Sequence, residues 1–442
     1  MNQVKTLTIL GGGPAGLSAA YYAKKAGIDF KLYEASAKVG GNCKTVTYGG
    51  FKFDTGAHRL HGKDPAVVDE IKGLLGNDIR EIDRPSYIFY NGKFIHFPFT
   101  PFEVFSKLSP YTGMKAALAF LIRNRNQEQL SFRDIAEAKY GSVISDLFLN
   151  NYSEKLWGLP TNELSPKISG SRLKHLNLQT LLRDIFLPNA VPKHMEGKFY
   201  YPVEGFGQIA EHLAEYAGWE NIELNRRVSS FKHEGGRIER ITTADGSQFE
   251  VDQVVSSLPL TLMIRLLDPL PPTEVLDIVE NVTFRHVTLI CFFLKKESVT
   301  PGATIYFPSE KFDFTRGYEP RNRSAKMSPD GMTSFVVEVP SAAMHSPNKD
   351  GLLSRIKNQL IGCGLFEEAD IIDTTSYDIP YAYPVLRVGI EKDVERLLDY
   401  LSQYKNLHIT GRNGLFEYSW THDMMTIGKQ TINALCKELE IG

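Results

Sequence analysis

Apolar and polar positions along the chain first follow a strand–helix–strand pattern. Residues 5–10 are typical of a buried strand, a glycine-rich turn follows, and a helical stretch runs to Ala26 before a second apolar strand at residues 30–33. Because parallel strands are joined by crossover helices, this order predicts a βαβ unit. The start of the chain is therefore expected to be a strand and not a signal peptide.

The pattern changes twice more along the chain. Residues 62–195 indicate mainly helices, with apolar periodicity at 67–75, 113–123 and 144–149. The remaining elements that the pattern indicates are a helix at 207–216, three or four strands within 222–257, strands at 284–294, 304–307, 334–339 and 407–410, and a final helix at 425–439. Strands and helices in this mixture predict an α/β protein.

Composition limits the partners of the chain. Its 442 residues, 42% apolar and 23% charged, have the balance of a globular protein of more than one domain. The net charge of −2 predicts no strong attraction for nucleic acid or anionic membranes. The four cysteines are scattered without zinc-like spacing, so we expect no metal site and a cytoplasmic location. No apolar run approaches the roughly 18 residues of a membrane-spanning helix.

The turn after the first strand has the glycine spacing of a dinucleotide-binding motif. Such a motif needs glycine for the tight turn, for backbone approach to a pyrophosphate and for packing of helix on strand. The predicted contacts are Gly11, Gly13, Pro14, Ala15 and Gly16. The start of the helix offers free N–H groups to the phosphates. Glu34, eighteen residues after Gly16 and at the end of the second strand, is expected to accept hydrogen bonds from both ribose hydroxyls.

Further glycine-rich segments indicate which dinucleotide is bound. They are Gly40-Gly41-Asn42, Gly56-Ala57-His58, the strand at 251–259 and Gly411-Arg412. In this order they resemble the FAD-binding elements of the superfamily that includes amine oxidases, protoporphyrinogen oxidases and UDP-galactopyranose mutases. The resemblance spans nearly the whole chain and implies FAD as the cofactor. It also adds Val228 to the cofactor contacts.

The same resemblance implies how the chain is divided into domains. A discontinuous Rossmann-like FAD-binding domain of the GR2 type is expected in residues 1–62, 200–283 and 385–442. A mainly helical cap is expected in residues 63–199, and a substrate-binding antiparallel sheet in residues 284–384. Whether the chain forms a homo-oligomer is left open.

Within the superfamily, the chain looks most like the UDP-galactopyranose mutases. Residues 56–61 are similar to the mutase loop that places a histidine, here His58, beside the flavin. The aromatic segment with Phe97 and Phe99 resembles the one that cradles the nucleotide base. Residues 152–158, from Tyr152 through Trp157, are close to the mutase signature Tyr-Thr-Glu-Lys-x-Trp-Gly. Flavin binding alone does not require this last match.

A nucleotide sugar presents two phosphates, and arginine is the side chain best shaped to bind them. Arg172 and Arg316 fall where the mutases place their diphosphate-binding arginines. Tyrosines at matching positions can each donate a hydrogen bond to a phosphate oxygen without adding charge. These tyrosines are Tyr306, Tyr383 and Tyr418. The resemblance thus implies a diphosphate clamp, in which His58, Arg172 and Arg316 act in catalysis.

Each of these residues also has a structural interpretation. An arginine on a helix is usually a solvated surface cation, a tyrosine in an apolar strand usually packs in the core, and His58 could cap its own glycine loop. The chain departs from the mutase pattern at Thr100, at Ser153 and after Tyr418. These departures put the base and the sugar in doubt more than the diphosphate.

The resemblance implies interconversion of the pyranose and furanose forms of a nucleotide-linked sugar, in cell-surface polysaccharide biosynthesis. Atom N5 of reduced FAD would be the nucleophile, with NAD(P)H as a reductant needed only to prime the flavin. The main alternative is an oxidase or desaturase of the amine oxidase or protoporphyrinogen oxidase type. Net oxidation or epimerisation of a nucleotide-linked or lipid-linked sugar, and a catalytically idle homologue, are further alternatives. Fold kinship alone does not decide among them.

Overall fold

The computed structural model describes residues 6–61, 64–97, 106–124, 128–169, 198–345 and 348–438. Its strands are β1 (Leu7–Leu10), β2 (Phe30–Tyr33), β3 (Thr45–Tyr48), β4 (Phe51–Asp54), β5 (Ile79–Asp83), β6 (Ser86–Tyr90), β7 (Lys93–Phe97), β8 (Lys198–Pro202), β9 (Ile222–Glu223), β10 (Val228–Glu234), β11 (Arg237–Thr243), β12 (Gln248–Glu250), β13 (Gln253–Ser256), β14 (Leu267–Asp268), β15 (Phe284–Leu294), β16 (Thr304–Tyr306), β17 (Arg316–Tyr318), β18 (Thr333–Ser341), β19 (Ile371–Pro384) and β20 (Leu407–Ile409).

The helices are α1 (Pro14–Lys25), α2 (Pro65–Leu75), α3 (Pro110–Ile122), α4 (Phe132–Tyr140), α5 (Ser142–Ile144), α6 (Asn151–Trp157), α7 (Gln208–Ala217), α8 (Leu260–Arg265), α9 (Thr273–Asn281), α10 (Lys349–Gly362), α11 (Ile390–Ser402), α12 (Gly411–Gly414) and α13 (Thr421–Glu438). A π-helical turn, Ser145–Asn150, leads directly into α6. Such turns occur often at functional sites.

A five-stranded parallel sheet forms the first layer, in the order β20-β13-β1-β2-β9. All four residues of β1 are buried because the strand lies between two neighbours and is covered by helices, so apolar residues occupy both of its faces. Helix α1 packs against α13 at close range, since the Oγ atom of Ser18 donates to the Met425 carbonyl. Gly428 faces Ser18 and leaves no room there for a side chain.

The second layer is a mixed seven-stranded sheet, in the order β19-β15-β18-β17-β16-β6-β7. Within this sheet, β15 is almost entirely buried and pairs antiparallel with both β18 and β19. The pairing register places Tyr306, Arg316 and Glu338 directly beside one another on β16, β17 and β18. Side chains in one such row lie on the same face of a sheet.

Most elements expected from the sequence are present, and the α/β architecture is confirmed. The region expected to be mainly helical differs, because it contributes the β6–β7 hairpin to the seven-stranded sheet and β5 to a small sheet with β8. The hairpin turn is Asn91-Gly92, in which both residues have positive φ, and an Asn-Gly turn between aromatic strands is a hairpin signal that the helical interpretation overlooked. The long strand β19 and the helices α10 and α11 were also not predicted.

The described residues contain no helix that is both long enough and apolar enough to cross a membrane.

Candidate active site

The glycine-rich turn between β1 and α1 is built around backbone contacts that exclude side chains. Gly11 has a φ of 95°, and a Cβ atom on Gly16 would lie 1.9 Å from the Gly11 carbonyl oxygen. Gly41 approaches this turn from the second glycine pair, since its Cβ would lie 2.9 Å from the Gly13 Cα atom. Helix α1 begins with no side-chain cap, and Pro14 occupies its first turn. The free N–H groups at this start can therefore bind phosphate.

Glu34 lies at the end of β2, beside this turn. Its Oε2 atom accepts a hydrogen bond from the Gly12 N–H at 2.6 Å, and its Oε1 atom accepts two from the backbone N–H and the hydroxyl of Ser36. A carboxylate offers about four acceptor positions. The protein occupies three of them, so this arrangement leaves one position for a ribose hydroxyl rather than the two that we expected.

The segments Gly40-Gly41-Asn42 and Gly56-Ala57-His58 are held together by His58. Its Nε2 atom lies 2.8 Å from the carbonyl oxygen of Asn42, and its ring stacks on Phe206. Burial, together with the charge of Arg316, lowers the pKa of His58 to about 3. The ring is therefore neutral at physiological pH, and because a carbonyl can only accept, Nε2 carries the proton. This contact supports the structural interpretation of His58 as a residue that fixes its loop.

The C-terminal glycine turn reaches the same place from the other end of the chain. Gly411 has a φ of 80°, and a Cβ atom there would lie 2.7 Å from the side chain of Ala15. Within this turn the Nε atom of Arg412 and the Oδ1 atom of Asn413 are buried without hydrogen-bond partners. Buried polar groups rarely stay unpaired, so these atoms indicate a missing polar ligand.

These features fit a bound dinucleotide. The glycine turns at 11–16, 40–41 and 411–412 leave an open space at the uncapped start of α1, which we call the cofactor cradle. The carboxylate of Glu34 lies beside this space, and the two unpaired polar atoms of Arg412 and Asn413 border it. The start of β10 also lies close to Glu34, because the Arg226 N–H donates to the Glu34 carbonyl two residues before Val228. Val228 itself is partly buried. The glycine segments that the sequence indicated, at residues 11–16, 40–42, 56–58 and 411–412, thus meet at one edge of the parallel sheet.

A cluster of aromatic rings adjoins this cradle. Trp157 packs edge to face with Tyr383 and Tyr418, while Tyr306 packs in the same way with Tyr152 and Phe97. The cluster is joined to the C-terminal turn, since the Arg412 guanidinium lies 5.0 Å from the Tyr383 ring centre and 4.8 Å from that of Tyr418. Burial raises the pKa of Tyr383 to about 12, so its hydroxyl remains protonated and can donate.

Arg316 links the aromatic cluster to the glycine loops. Its Nη2 atom donates to the Tyr383 hydroxyl at 3.0 Å, and its Nε atom lies 2.7 Å from the Oε2 atom of Glu338. The second contact is an ion pair without an aligned N–H hydrogen bond. The Oε1 atom of Glu338 accepts from the Ala57 N–H at 3.1 Å. Arg316 therefore neither points into solvent nor stands apart from the cradle.

Three residues of the site were not predicted from the sequence. Glu338 is buried in the apolar strand β18, and a lone carboxylate in such a strand is the signal that could have revealed it.

Lys155 donates from Nζ to the carbonyls of Phe307, Ser309 and Phe314, in the connection that joins Tyr306 to Arg316. Arg285 donates to the Leu156 carbonyl at the end of α6. Within the signature at residues 152–158, Lys155 therefore acts structurally, by holding this connection in place.

Two predicted site residues, Phe99 and Arg172, lie outside the described residues. The other predicted substrate residues form the single aromatic cluster around Arg316. Chemically, this cluster offers the largely buried guanidinium of Arg316, that of Arg412 at its edge, several hydroxyl donors and a wall of aromatic rings. It can hold an oxygen-rich anion, and it can equally pack against a planar apolar molecule.

Fold and cradle together define an α/β flavoprotein. Residues 14–411 match the family of flavin-containing amine oxidoreductases. The chain belongs to this family, and its cofactor is accordingly a flavin, with FAD implied.

Three known proteins illustrate the relationship. The crystal structure of reduced UDP-galactopyranose mutase has a TM-score of 0.86 with this chain at 20% identity, and the match covers 98% of this chain and 96% of that one. Coproporphyrinogen III oxidase of Staphylococcus aureus is 20% identical, over 98% of this chain and all of its own length. Protoporphyrinogen oxidase 2 of Arabidopsis thaliana is 25% identical, but the match spans only 34% of this chain and 30% of that protein. The mutase likeness shows the fold alone.

Proposed function

We propose that this chain is an FAD-dependent mutase of a nucleotide diphosphate sugar, which interconverts pyranose and furanose forms without net oxidation. The observation that carries the proposal is the pairing of Tyr306 with Arg316 across β16 and β17, with Tyr383 bound to the same arginine. A guanidinium surrounded by neutral tyrosine hydroxyls suits a diphosphate, which is anionic and rich in acceptor oxygens.

The residues of the chain would act by positioning and by stabilising charge. Arg316 and the hydroxyls of Tyr306, Tyr383 and Tyr418 would hold the diphosphate and stabilise the negative charge that develops as it departs from the sugar. Arg172 is proposed to bind the same group. Trp157 and Tyr152 would exclude water, while Phe97 and Phe99 would contact the base. When bound, reduced flavin supplies a nucleophilic N5 atom, and NAD(P)H would be needed only to reduce it.

The network behind the site supports this division of roles. Asn42 and Asn413 each donate to the carbonyl of Tyr381, a residue with a φ of 51°, and Arg412 donates to the Ala382 carbonyl. The loops of the cofactor cradle therefore hold the end of β19, which carries Tyr383. Preorganisation of this kind keeps a donor in place before the substrate arrives.

A second candidate function is an oxidase or desaturase. The curated relatives favour it over the mutase, since the two described above are named coproporphyrinogen III oxidase and protoporphyrinogen oxidase. The ion pair with Glu338 also favours it, because it neutralises Arg316 and leaves the aromatic rings as the larger part of the surface. In this case a porphyrinogen or another reduced ring compound would give up a hydride to the flavin.

One experiment separates the two functions. The purified yellow protein is incubated with UDP-galactopyranose and other UDP-sugars, with and without dithionite, and the products are separated by anion-exchange chromatography. Parallel samples receive coproporphyrinogen or protoporphyrinogen in air, and hydrogen peroxide is measured. Isomerised sugar that appears only with reduced flavin supports the mutase. Bleaching of the flavin by a porphyrinogen, with peroxide and no sugar isomer, would replace it with the oxidase.

A further inference from the structure

Helix α3 presents its large apolar side chains to the outside of the protein. Of the thirteen large hydrophobic side chains that are exposed among the described residues, six lie between positions 111 and 130. The exposed side chains of α3 itself are Tyr111, Met114, Leu118, Leu121 and Ile122. At about 100° per residue they fall within an arc of roughly 100°, which is one continuous face of the helix.

This orientation is the reverse of that found in most amphipathic helices, which bury their large apolar residues. The buried residues of α3 are the small Gly113 and Ala116. The helix is fixed in this orientation by close backbone packing, because a Cβ atom on Gly141 would lie 2.8 Å from the backbone of Ala119. This close contact fixes the rotation of α3 about its own axis, and the large apolar side chains therefore remain on the outer face.

The stretch of chain that carries this face contains basic residues and no acidic ones. No aspartate or glutamate occurs between positions 104 and 127, whereas Lys107 and Lys115 are basic. Arg123 is also basic, but its guanidinium donates to the carbonyls of Phe120 and Ala138. Lys115 is exposed at the edge of the apolar face, with its Nζ atom 4.4 Å from the Tyr111 ring centre. This local excess of positive charge is not apparent in the net charge of −2 for the whole chain.

We propose that α3 docks this protein on the surface of an anionic lipid membrane. The helix has 13 residues, too few to span a bilayer, so its apolar face would lie in the interface while Lys107 and Lys115 meet lipid phosphates. A second copy of this chain fits less well. A symmetric contact would bring the same basic residues together without an acidic partner on the helix. The proposal does not depend on the reaction catalysed.

Co-sedimentation with vesicles tests the proposal. The full chain with its bound FAD is mixed with vesicles of phosphatidylcholine alone, or of phosphatidylcholine and phosphatidylglycerol in equal parts, at low and high salt. The wild type should bind the anionic vesicles, and high salt should weaken the binding. The double substitution Leu118→Glu/Leu121→Glu should lower the partition coefficient at least about tenfold. Lys115→Ala should lower it about fivefold.

A matched control is Leu270→Glu, because Leu270 is also exposed, at 66%, but lies outside this face. It should bind vesicles like the wild type. Flavin absorbance and thermal melting check that each variant is folded. The proposal is overturned if the wild type does not bind anionic vesicles, or if the double variant binds them as well as the wild type. It is also overturned if α3 proves to join two copies, so that the wild type is a dimer without vesicle binding and the double variant is a monomer.

Discussion

Arg316 and Glu338 face each other across β17 and β18 and form a buried ion pair. Only 14% of the arginine side chain and 2% of the glutamate side chain are exposed. Two charges removed from water cost free energy that their attraction only partly returns, so a pair of this kind is poor evidence for stability alone. Its place between Tyr383 and Ala57 suggests that it sets the charge of the site.

Glu338→Gln should change stability and ligand binding in opposite directions. The substitution leaves Arg316 buried without a counter-charge, so the free energy of unfolding should fall by about 3 kcal/mol. If Arg316 binds a diphosphate, the freed positive charge should tighten UDP binding about tenfold. Urea unfolding and calorimetric titration with UDP measure the two effects. As a control, Glu319→Gln removes another buried carboxylate and should lower stability without affecting UDP. Unchanged UDP affinity in Glu338→Gln would contradict the clamp.

Arg316→Ala should weaken UDP binding and leave the flavin in place. A hydrogen bond to a charged group contributes about 1.5–3 kcal/mol, which corresponds to roughly 10-fold to 150-fold in affinity. Arg172→Ala should have the same effect if that residue completes the clamp. Arg355→Ala, which removes an arginine that is 56% exposed, is the matched control. If the visible spectrum of the flavin is normal and both clamp variants bind UDP as tightly as the wild type, the nucleotide-sugar proposal fails.

Local features of the site were predictable from the sequence, whereas the pairing between strands was not. The turn from Gly11 to Gly16 and the position of Glu34 depend on a few adjacent residues, whose steric requirements can be read directly. Glu338 meets Arg316 only because β17 and β18 pair in one particular register, and a shift of one residue would turn the carboxylate to the other face.

The hairpin of β6 and β7 illustrates a different failure. Its Asn91-Gly92 turn and its flanking aromatic residues were visible in the sequence, but the helical periodicity on either side dominated the interpretation. Lys155 was recognised only as part of a signature. Its three carbonyl partners lie more than 150 residues further along the chain, and no local pattern predicts that contact.

Lys155→Met should loosen the connection that carries Tyr306 and Arg316. The methionine has similar length but cannot donate, so three carbonyl groups lose a hydrogen bond and the free energy of unfolding should fall by about 2–3 kcal/mol. UDP binding should weaken as well, while FAD stays bound. Lys311→Met, in the same connection but with an exposed side chain, should change neither property. A loss of stability at unchanged UDP affinity would limit Lys155 to a purely structural role.

Stability should depend on pH through His58. Its folded-state pKa, lowered to about 3, lies below the ordinary value of about 6.5, so between these values the unfolded chain binds a proton that the folded chain does not. Stability is therefore lost as pH falls through this window, by about 1.4 kcal/mol per pH unit. His58→Gln can still donate to the Asn42 carbonyl but does not titrate. Between pH 6.5 and 5, urea unfolding should show the wild type losing about 2 kcal/mol more than this variant; equal losses would contradict the buried neutral imidazole.

The contact between the two glycine turns should decide cofactor binding. Gly41 and Gly49 both have a φ of 53°, so alanine suffers similar backbone strain at either position. The surroundings differ, since a Cβ atom on Gly41 would lie 2.9 Å from the Gly13 Cα atom, whereas nothing lies within 4 Å at Gly49. Gly41→Ala should therefore force the turns apart and reduce the FAD bound per chain, measured by absorbance at 450 nm, roughly tenfold. Gly49→Ala should lose about 1 kcal/mol of stability and keep its FAD. Equal FAD content in the two variants would mean that the close approach of these turns does not form the cofactor cradle.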